Sequence, residues 1–251
     1  MNLTGIVRLR ADGVGDIGPD AKRPDNYSSI NGPLHNSTHS ELSLRELYLD
    51  GGSENAYWRV GKQQVVWGQA DGIKVLDVVN PQSYREFIVD DFADSRIPLT
   101  MLNLELPVGL DSTLQLLWIP DTTYHELAEA DTPYAISSPL LMPVAPPGLE
   151  VDVLSADKPS HWWRDSDAGM RFSSHFSGWD MTFNYLYHYQ DFPVLYQSLE
   201  VQAGGPVGVV SPQYERSHLL GGTLSNSFGD FVLRAELAYN SDSYQVSRDL
   251  S

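Results

Sequence analysis

The chain has 251 residues and a formal net charge of -17, which argues against nucleic acid as a partner. Its mean hydropathy of -0.28, with no long apolar run, excludes a helical membrane protein. It contains no cysteine, which suits a compartment in which thiols would be oxidised.

In chain order, alternating apolar and polar side chains predict one lone strand followed by four hairpins. The lone strand covers 3–12. The arms of the hairpins are 41–50 with 55–66, 99–108 with 113–119, 168–176 with 179–190, and 214–224 with 230–240. Short turns rich in Gly, Asp, Asn and Ser join the two arms of each hairpin. These nine strands predict an all-β, antiparallel fold.

The connectors between the predicted hairpins are long, and they cover 13–40, 67–98, 120–167 and 191–213. Short turns at one end and long loops at the other are typical of an up-and-down transmembrane β-barrel. Nine strands is an odd number, and the first and last strands lack neighbours. We therefore expect one domain, residues 1–251, that is a partial barrel truncated at both ends.

The predicted strand at 179–190 shows the alternation most clearly, and only Leu186 departs from it. Its length suits a tilted membrane-spanning strand of about 9 to 11 residues. A soluble antiparallel sheet with one face on a core would alternate in the same way. The face assignments of 41–50 and 214–224 are open, because Arg45 shares a face with Leu47 and Leu49, and Glu215 shares one with Leu219.

Charged and polar side chains on one face of the strands are candidates for lining a pore, where they would select solutes or pair with one another. They are Arg8, Arg10, Arg59, Glu105, Arg171, His188, Arg234 and Glu236. Aromatic residues near strand ends predict the interfacial girdles of a barrel. They are Trp58, Trp67, Trp118, Trp179 and Tyr239.

The most distinctive motifs of the sequence begin at the end of the third predicted strand, 55–66. A strand end with Gly, Lys, Gln and Trp-Gly at 61–68 precedes Asp-Val-Val-Asn-Pro at 77–81. With Arg-Ile-Pro at 96–98 and the run 116–121, this sequence resembles an uncharacterised family of large Gram-negative outer-membrane proteins, catalogued as a domain of unknown function. The resemblance implies a porin-like barrel in the outer membrane of a Gram-negative bacterium, and it implies no particular substrate.

The 71–95 segment is predicted to hold a short helix. Asn80 and Pro81 fit the N-cap and the first helical position, and Tyr84 and Phe87 follow with apolar spacing. The helix either folds inward and constricts the pore or lies outside across the loop tips. The candidates for a constricting loop are Tyr84, Phe87, Asp90, Asp91, Asp94 and Arg96. The spacing of the three acidic residues does not match a calcium loop, so no metal is expected.

We expect a porin-like protein that admits a small solute, of unknown identity, across the outer membrane. Outer-membrane lipid would surround it, and self-association into a homo-oligomer is left open. The sequence has no Gly-x-Ser-x-Gly, phosphate-loop or zinc motif, so we expect neither an enzyme nor a cofactor. The alternatives are a non-conducting structural or binding barrel and a soluble β-rich carbohydrate-binding or hydrolytic domain.

Overall fold

The structure is a computed structural model that describes residues 1–15, 25–69, 74–128, 132–135, 149–203 and 205–244. Strands make up 59% of it and helix 1%, which confirms the expected all-β, antiparallel class. In the described part of the chain, no helix has the length and apolar character needed to span a membrane.

The elements follow one another with short turns and long connectors in alternation. They are β1 (Asn2–Ala11), β2 (Pro33–Asn36), β3 (Ser40–Ser53), β4 (Ala56–Gln63), β5 (Ser83–Tyr84), α1 (Phe92–Ser95), β6 (Leu99–Pro107), β7 (Ser112–Ile119), β8 (Glu126–Leu127), β9 (Glu150–Val153), β10 (Asp167–Phe176), β11 (Trp179–Tyr189), β12 (Val194–Gln202), β13 (Gly205–Gln213), β14 (Arg216–Phe228) and β15 (Phe231–Asn240).

Nine strands form one antiparallel sheet in the order β1, β3, β4, β6, β7, β10, β11, β14, β15, and the short β2 pairs with β3. The four predicted hairpins are confirmed as β3–β4, β6–β7, β10–β11 and β14–β15. Because neighbouring strands are antiparallel, their tight turns share one end of the sheet and the long connectors share the other. Among the described residues, β1 and β15 are the edges and do not pair with each other.

The connector predicted at 191–213 is not a plain loop, because it contains the hairpin of β12 and β13. β9, from the connector before β10, adds to β13 in parallel. The apolar side chains of Val207, Val209 and Val210 are buried in this small sheet. This near-continuous apolar run is the feature from which a strand could have been expected within the predicted connector.

A β-bulge settles the faces of β3. Ile6 pairs with Glu46 and Val7 pairs with Leu44, so Arg45 is the extra residue between the two pairs. One extra residue reverses the side-chain alternation. Arg45 and Glu46 therefore lie on the same face of the sheet, and Leu44 lies on the opposite face.

The two faces of the nine-stranded sheet differ in what covers them. Residues 64–98 are the β4–β6 connector, and its described residues, 64–69 and 74–98, pack on one face, which we call the loop face. The other is the open face. The buried core lies between the connector and the loop face and contains Val65, Trp67, Leu76, Val79, Leu99, Met101, Leu117, Ile119, Leu186 and Leu219.

Candidate functional site

The β4–β6 connector is fastened to the loop face by two fully buried apolar side chains. Trp67 and Leu76 are both 0% exposed. A methyl group at Gly169 would stand 2.9 Å from Cη2 of Trp67, so the indole needs the absence of a side chain there. Leu76 lies in the same way against Gly221. The two glycines of the sheet thus make room for the two anchoring side chains.

This packing corrects the prediction for Trp67 and explains the exception at Leu186. Trp67 is not a girdle residue, because its indole Nε1 donates to Gln115 Oε1 at 2.8 Å on the loop face. Leu186 faces the same core and is 1% exposed. Leu186 therefore departs from the polar pattern of this face because the connector packs on β11 at this position.

Three arginines of the sheet hold the connector by its polar atoms. Arg10 forms an ion pair with Asp90 at 2.9 Å. Arg8 Nη1 donates to the backbone oxygen of Asp94 at 3.2 Å. Arg45 donates to the backbone oxygen of Arg96 at 2.9 Å, and also to that of Ala93. Two sets of residues predicted separately, the pore-lining arginines and the constricting loop, are thus in direct contact.

A second set of ion pairs lies within and beside the connector. Arg85 bonds both Glu41 and Glu126 at 2.6 Å, with all three side chains at most 7% exposed. Arg96 bonds both carboxylate oxygens of Asp77, at 2.9 and 2.8 Å. Charges buried to this extent are stable only when they are paired, so these contacts fix the path of the connector.

The helix predicted to start at Asn80 is wrong. The Asn80 carboxamide does not cap a helix, since Oδ1 accepts from the backbone N–H of Val65 at 2.8 Å and Nδ2 donates to Ile97 O at 3.1 Å. Phe87, with a positive φ of 55°, is exposed instead of lying on an apolar helix face. A single helical turn, α1, does fall within 71–95, and Asp91 precedes it as its N-cap residue.

The remaining pore-lining candidates also lie on the loop face. The Arg59 guanidinium lies 4.1 Å from the ring centre of Tyr48. Arg171 donates to the backbone oxygen of Val66 at 3.3 Å. Glu105 accepts from Gln115, Glu236 accepts from the backbone N–H of Gln69, and Arg234 pairs in register with Ser225.

Four of the five predicted girdle residues lie on the open face. Trp58 and Trp179 lie near the tight turns, and Trp118 and Tyr239 lie near the long connectors. Trp118 also packs against Trp162 and Trp163, with ring centres 5.9 and 5.6 Å apart. The aromatic residues of this face therefore gather at both ends of the strands.

A cavity of about 400 Å³ opens between the β4–β6 connector and the ends of β11 and β14 that adjoin the long connectors. We call it the His125–His188 cavity. Lys74 and Asp77 border it from the connector, and Ser217 borders it from β14. Tyr84, a predicted constricting residue, is also part of its wall. The cavity brings together residues that are distant in sequence, so sequence reasoning grouped only His188 with the pore.

Among the titratable groups of this cavity, His125 and Asp191 have pKa values that burial shifts towards the uncharged form. Burial lowers the pKa of His125 to about 3, with smaller effects from Lys74 and His188. His125 Nδ1 accepts from the backbone N–H of Gln82 at 2.8 Å, which fixes the neutral ring. Burial, and then the neighbouring Asp167, raises the pKa of Asp191 well above its ordinary value. Both side chains therefore favour their uncharged forms.

The role of Asp121 was not predicted from the sequence. This carboxylate is 2% exposed and accepts from Ser28 Oγ at 2.6 Å, Asn31 Nδ2 at 3.0 Å and the backbone N–H of Thr100 at 2.9 Å. It joins the connector before β3 to the start of β6. The only sign of its importance in the sequence analysis was that Asp121 ends the distinctive run 116–121.

The site combines charged anchors, a cavity and a polar face. Among the residues that the structure describes, no three His, Cys, Asp or Glu side chains are placed to hold a metal ion. No curated protein and no solved structure shows significant similarity to the chain. Residues 10–250 match the family described as Protein of unknown function (DUF1302), and the chain therefore belongs to that family.

Proposed function

We propose that this protein is a porin-like β-barrel of a Gram-negative outer membrane that admits a small solute. The observation that carries the proposal is the open face. Across nine strands it presents apolar side chains that are exposed, among them Leu3, Leu9, Leu49, Val60, Leu102, Leu116, Phe172, Phe183, Leu220, Leu233 and Leu237. Monomeric soluble proteins rarely expose apolar patches larger than a few hundred Å².

The dimensions of the open face fit a bilayer. Trp179 and Tyr187 lie on this face of β11, eight residues apart, which is about 27 Å along a strand. At a tilt of 35 to 45° this is about 20 Å across the membrane, close to the apolar band of about 25 Å in outer-membrane barrels. Within the nine described strands, the register places two charged side chains on the open face, Lys62 and Arg216, and each lies within two residues of the strand end that meets a long connector. The other open-face positions of these strands carry no Asp, Glu, Lys or Arg.

The loop face would then line the lumen, and the β4–β6 connector would narrow it. The connector is tied to the wall by Arg8, Arg10 and Arg45, and a constriction needs such fixed contacts. Charged groups on opposite sides of a narrow passage select solutes by charge and size. The proposed passage is lined by both signs of charge.

Planar lipid bilayers test this function. The protein, folded in detergent and added to the bilayer, should give stepwise conductance. Arg8→Gln combined with Arg45→Gln removes the bonds to the connector backbone and should raise the size of the step. Arg59→Gln is the matched control, because the Arg59 guanidinium stacks on Tyr48, donates to Tyr57 and makes no hydrogen bond to the described residues of the connector. A protein that folds without detergent and does not enter lipid would contradict the proposal.

A second candidate function is a non-conducting outer-membrane barrel. It is favoured by the buried core beneath the connector, where Trp67 and Leu76 leave no exposed surface. Incorporation into lipid without any conductance, in the protein and in the Arg8→Gln and Arg45→Gln variant alike, would select this candidate.

A further inference from the structure

The polar wall of the His125–His188 cavity carries buried atoms that lack a partner. His188 and Ser217 are directly paired across β11 and β14. Ser217 is 1% exposed, and among the described residues neither its Oγ nor the Nε2 of His188 has a hydrogen-bond partner. An unpaired buried polar group costs about 1–3 kcal/mol. An occupant that bonds both atoms would remove this cost.

Another part of the cavity wall is aromatic. The rings of Tyr84 and Phe192 are stacked at 18° with centres 6.0 Å apart. The ring of His125 meets Phe192 edge-on, with centres 4.6 Å apart. Rings packed in this way present a firm apolar surface on which a flat molecule can lie.

The charged side chains around the cavity, among the described residues, are two cations and two anions. Asp77 is bonded by Arg96, and the Lys74 ammonium donates to Gln82 and to Ser95 Oγ. Asp242 lies exposed and accepts from Ser241 Oγ at 2.5 Å. His125 and Asp191 favour their neutral forms, as described above. The formal charges of Lys74, Arg96, Asp77 and Asp242 therefore sum to zero, so among the described residues the cavity offers no net charge to attract an ion.

We infer that the His125–His188 cavity binds a small uncharged solute that offers a hydroxyl or carbonyl group to His188 and Ser217 and a flat apolar surface to the aromatic wall. Its volume of about 400 Å³ lies in the lower part of the range for small-molecule pockets, about 300–1,000 Å³. The inference rests on the proposed function, because it names the class of the solute.

Titration calorimetry on the whole protein in detergent at pH 7 tests the inference. The probes are methyl 4-hydroxybenzoate, which is uncharged, and the 4-hydroxybenzoate anion, which has the same ring. The ester should bind saturably and at least fivefold more tightly than the anion. Ser217→Ala and His188→Leu should each raise the Kd of the ester at least fivefold. Thr182→Val, on the same face of β11 and bonded to Thr223 outside the cavity, should change it less than twofold.

Three results would overturn the inference: no saturable binding of the ester, equal or tighter binding of the anion, or equal Kd values in the protein and its two cavity variants. Ser217→Ala removes one oxygen atom, so it decides the matter if His188→Leu does not fold. Vesicle incorporation is measured on the same preparation. Ester binding without incorporation contradicts the proposed function, whereas incorporation without ester binding contradicts only this inference.

Discussion

The indole of Trp67 lies on the backbone of Gly169, and a methyl group at position 169 would stand 2.9 Å from its Cη2 and 3.2 Å from Cδ1 of Leu186. The indole cannot retreat easily, because it is 0% exposed and its Nε1 is bonded to Gln115. The docking of the β4–β6 connector thus depends on a missing side chain in β10.

Gly169→Ala should lower the free energy of unfolding by about 1–3 kcal/mol, the usual cost of adding atoms to a packed core. Urea unfolding measures it. Gly5→Ala is the control, because its new methyl group would meet Leu47 at an ordinary 3.7 Å and should cost nothing. Trp67→Phe provides a smaller ring, so the double variant should lose less than the two single losses added together. Strictly additive losses of the free energy of unfolding would contradict a direct contact between Trp67 and position 169.

Arg85→Met should be more damaging, because it leaves Glu41 and Glu126 buried without their common partner. Removing one member of a buried ionic group costs about 3–5 kcal/mol. The triple variant that adds Glu41→Gln and Glu126→Gln should lose less than Arg85→Met alone, since no buried charge remains. Unfolding in urea gives these values.

Arg164→Met is the control for Arg85→Met. The Arg164 side chain is 77% exposed and lies 3.9 Å from Asp165. Exposed pairs contribute about 0–1 kcal/mol. Equal losses in Arg85→Met and Arg164→Met would show that the buried pairs do not stabilise the connector.

The strands were predictable because their information is local. The hairpin β10–β11 lies within one residue of its predicted arms, since period-two alternation and the Ser177-Gly178 turn specify it. The bulge at Arg45 was not predictable, because the alternation of β3 alone does not tell which residue is left unpaired by β1.

The candidate site was less accessible to sequence reasoning, because its contacts are tertiary. Asn80 has the local preferences of a helix cap, yet Val65 and Ile97 use its carboxamide. Trp67 is an aromatic residue of the kind found in interfacial girdles, yet the missing side chain of Gly169 lets its indole pack in the core. In both cases the deciding partner lies far along the chain. The arginines of the loop face were identified from the sequence. Their bonds to the connector could not be predicted, because these bonds depend on the path that the connector takes across the sheet.

His125 makes stability depend on pH. Its folded-state pKa of about 3 lies below the ordinary value of 6.5. Between these values the unfolded chain binds a proton that the folded chain does not, so this contribution is present above pH 6.5 and is lost as the pH falls towards 3. The loss is at most about 1.4 kcal/mol per pH unit. Asp191, whose pKa is raised, acts in the opposite sense, because its contribution declines as the pH rises.

His125→Phe keeps the ring contacts with Tyr84 and Phe192 and removes the titration. At pH 7.5 the variant should be less stable by about 1–3 kcal/mol, because the Gln82 N–H loses its acceptor. Between pH 6.5 and 4 its stability should fall less steeply than that of the unaltered protein. Urea midpoints across this range measure the slope. His35→Phe, at an exposed position, should keep the original slope, and an unchanged slope in His125→Phe would refute the assignment.

Phe183 tests what surrounds the open face. It is 50% exposed at the middle of β11, so in water Phe183→Arg should change the free energy of unfolding by about 0.5 kcal/mol or less. In a bilayer the same substitution should cost about 2–4 kcal/mol, because an arginine at the midplane must leave water. Folding into lipid vesicles, followed by denaturant titration, measures the difference. Leu110→Arg, in the tight turn between β6 and β7 and 101% exposed, should cost little in the same vesicles. Equal small losses at both positions would mean that water, and not lipid, covers the open face.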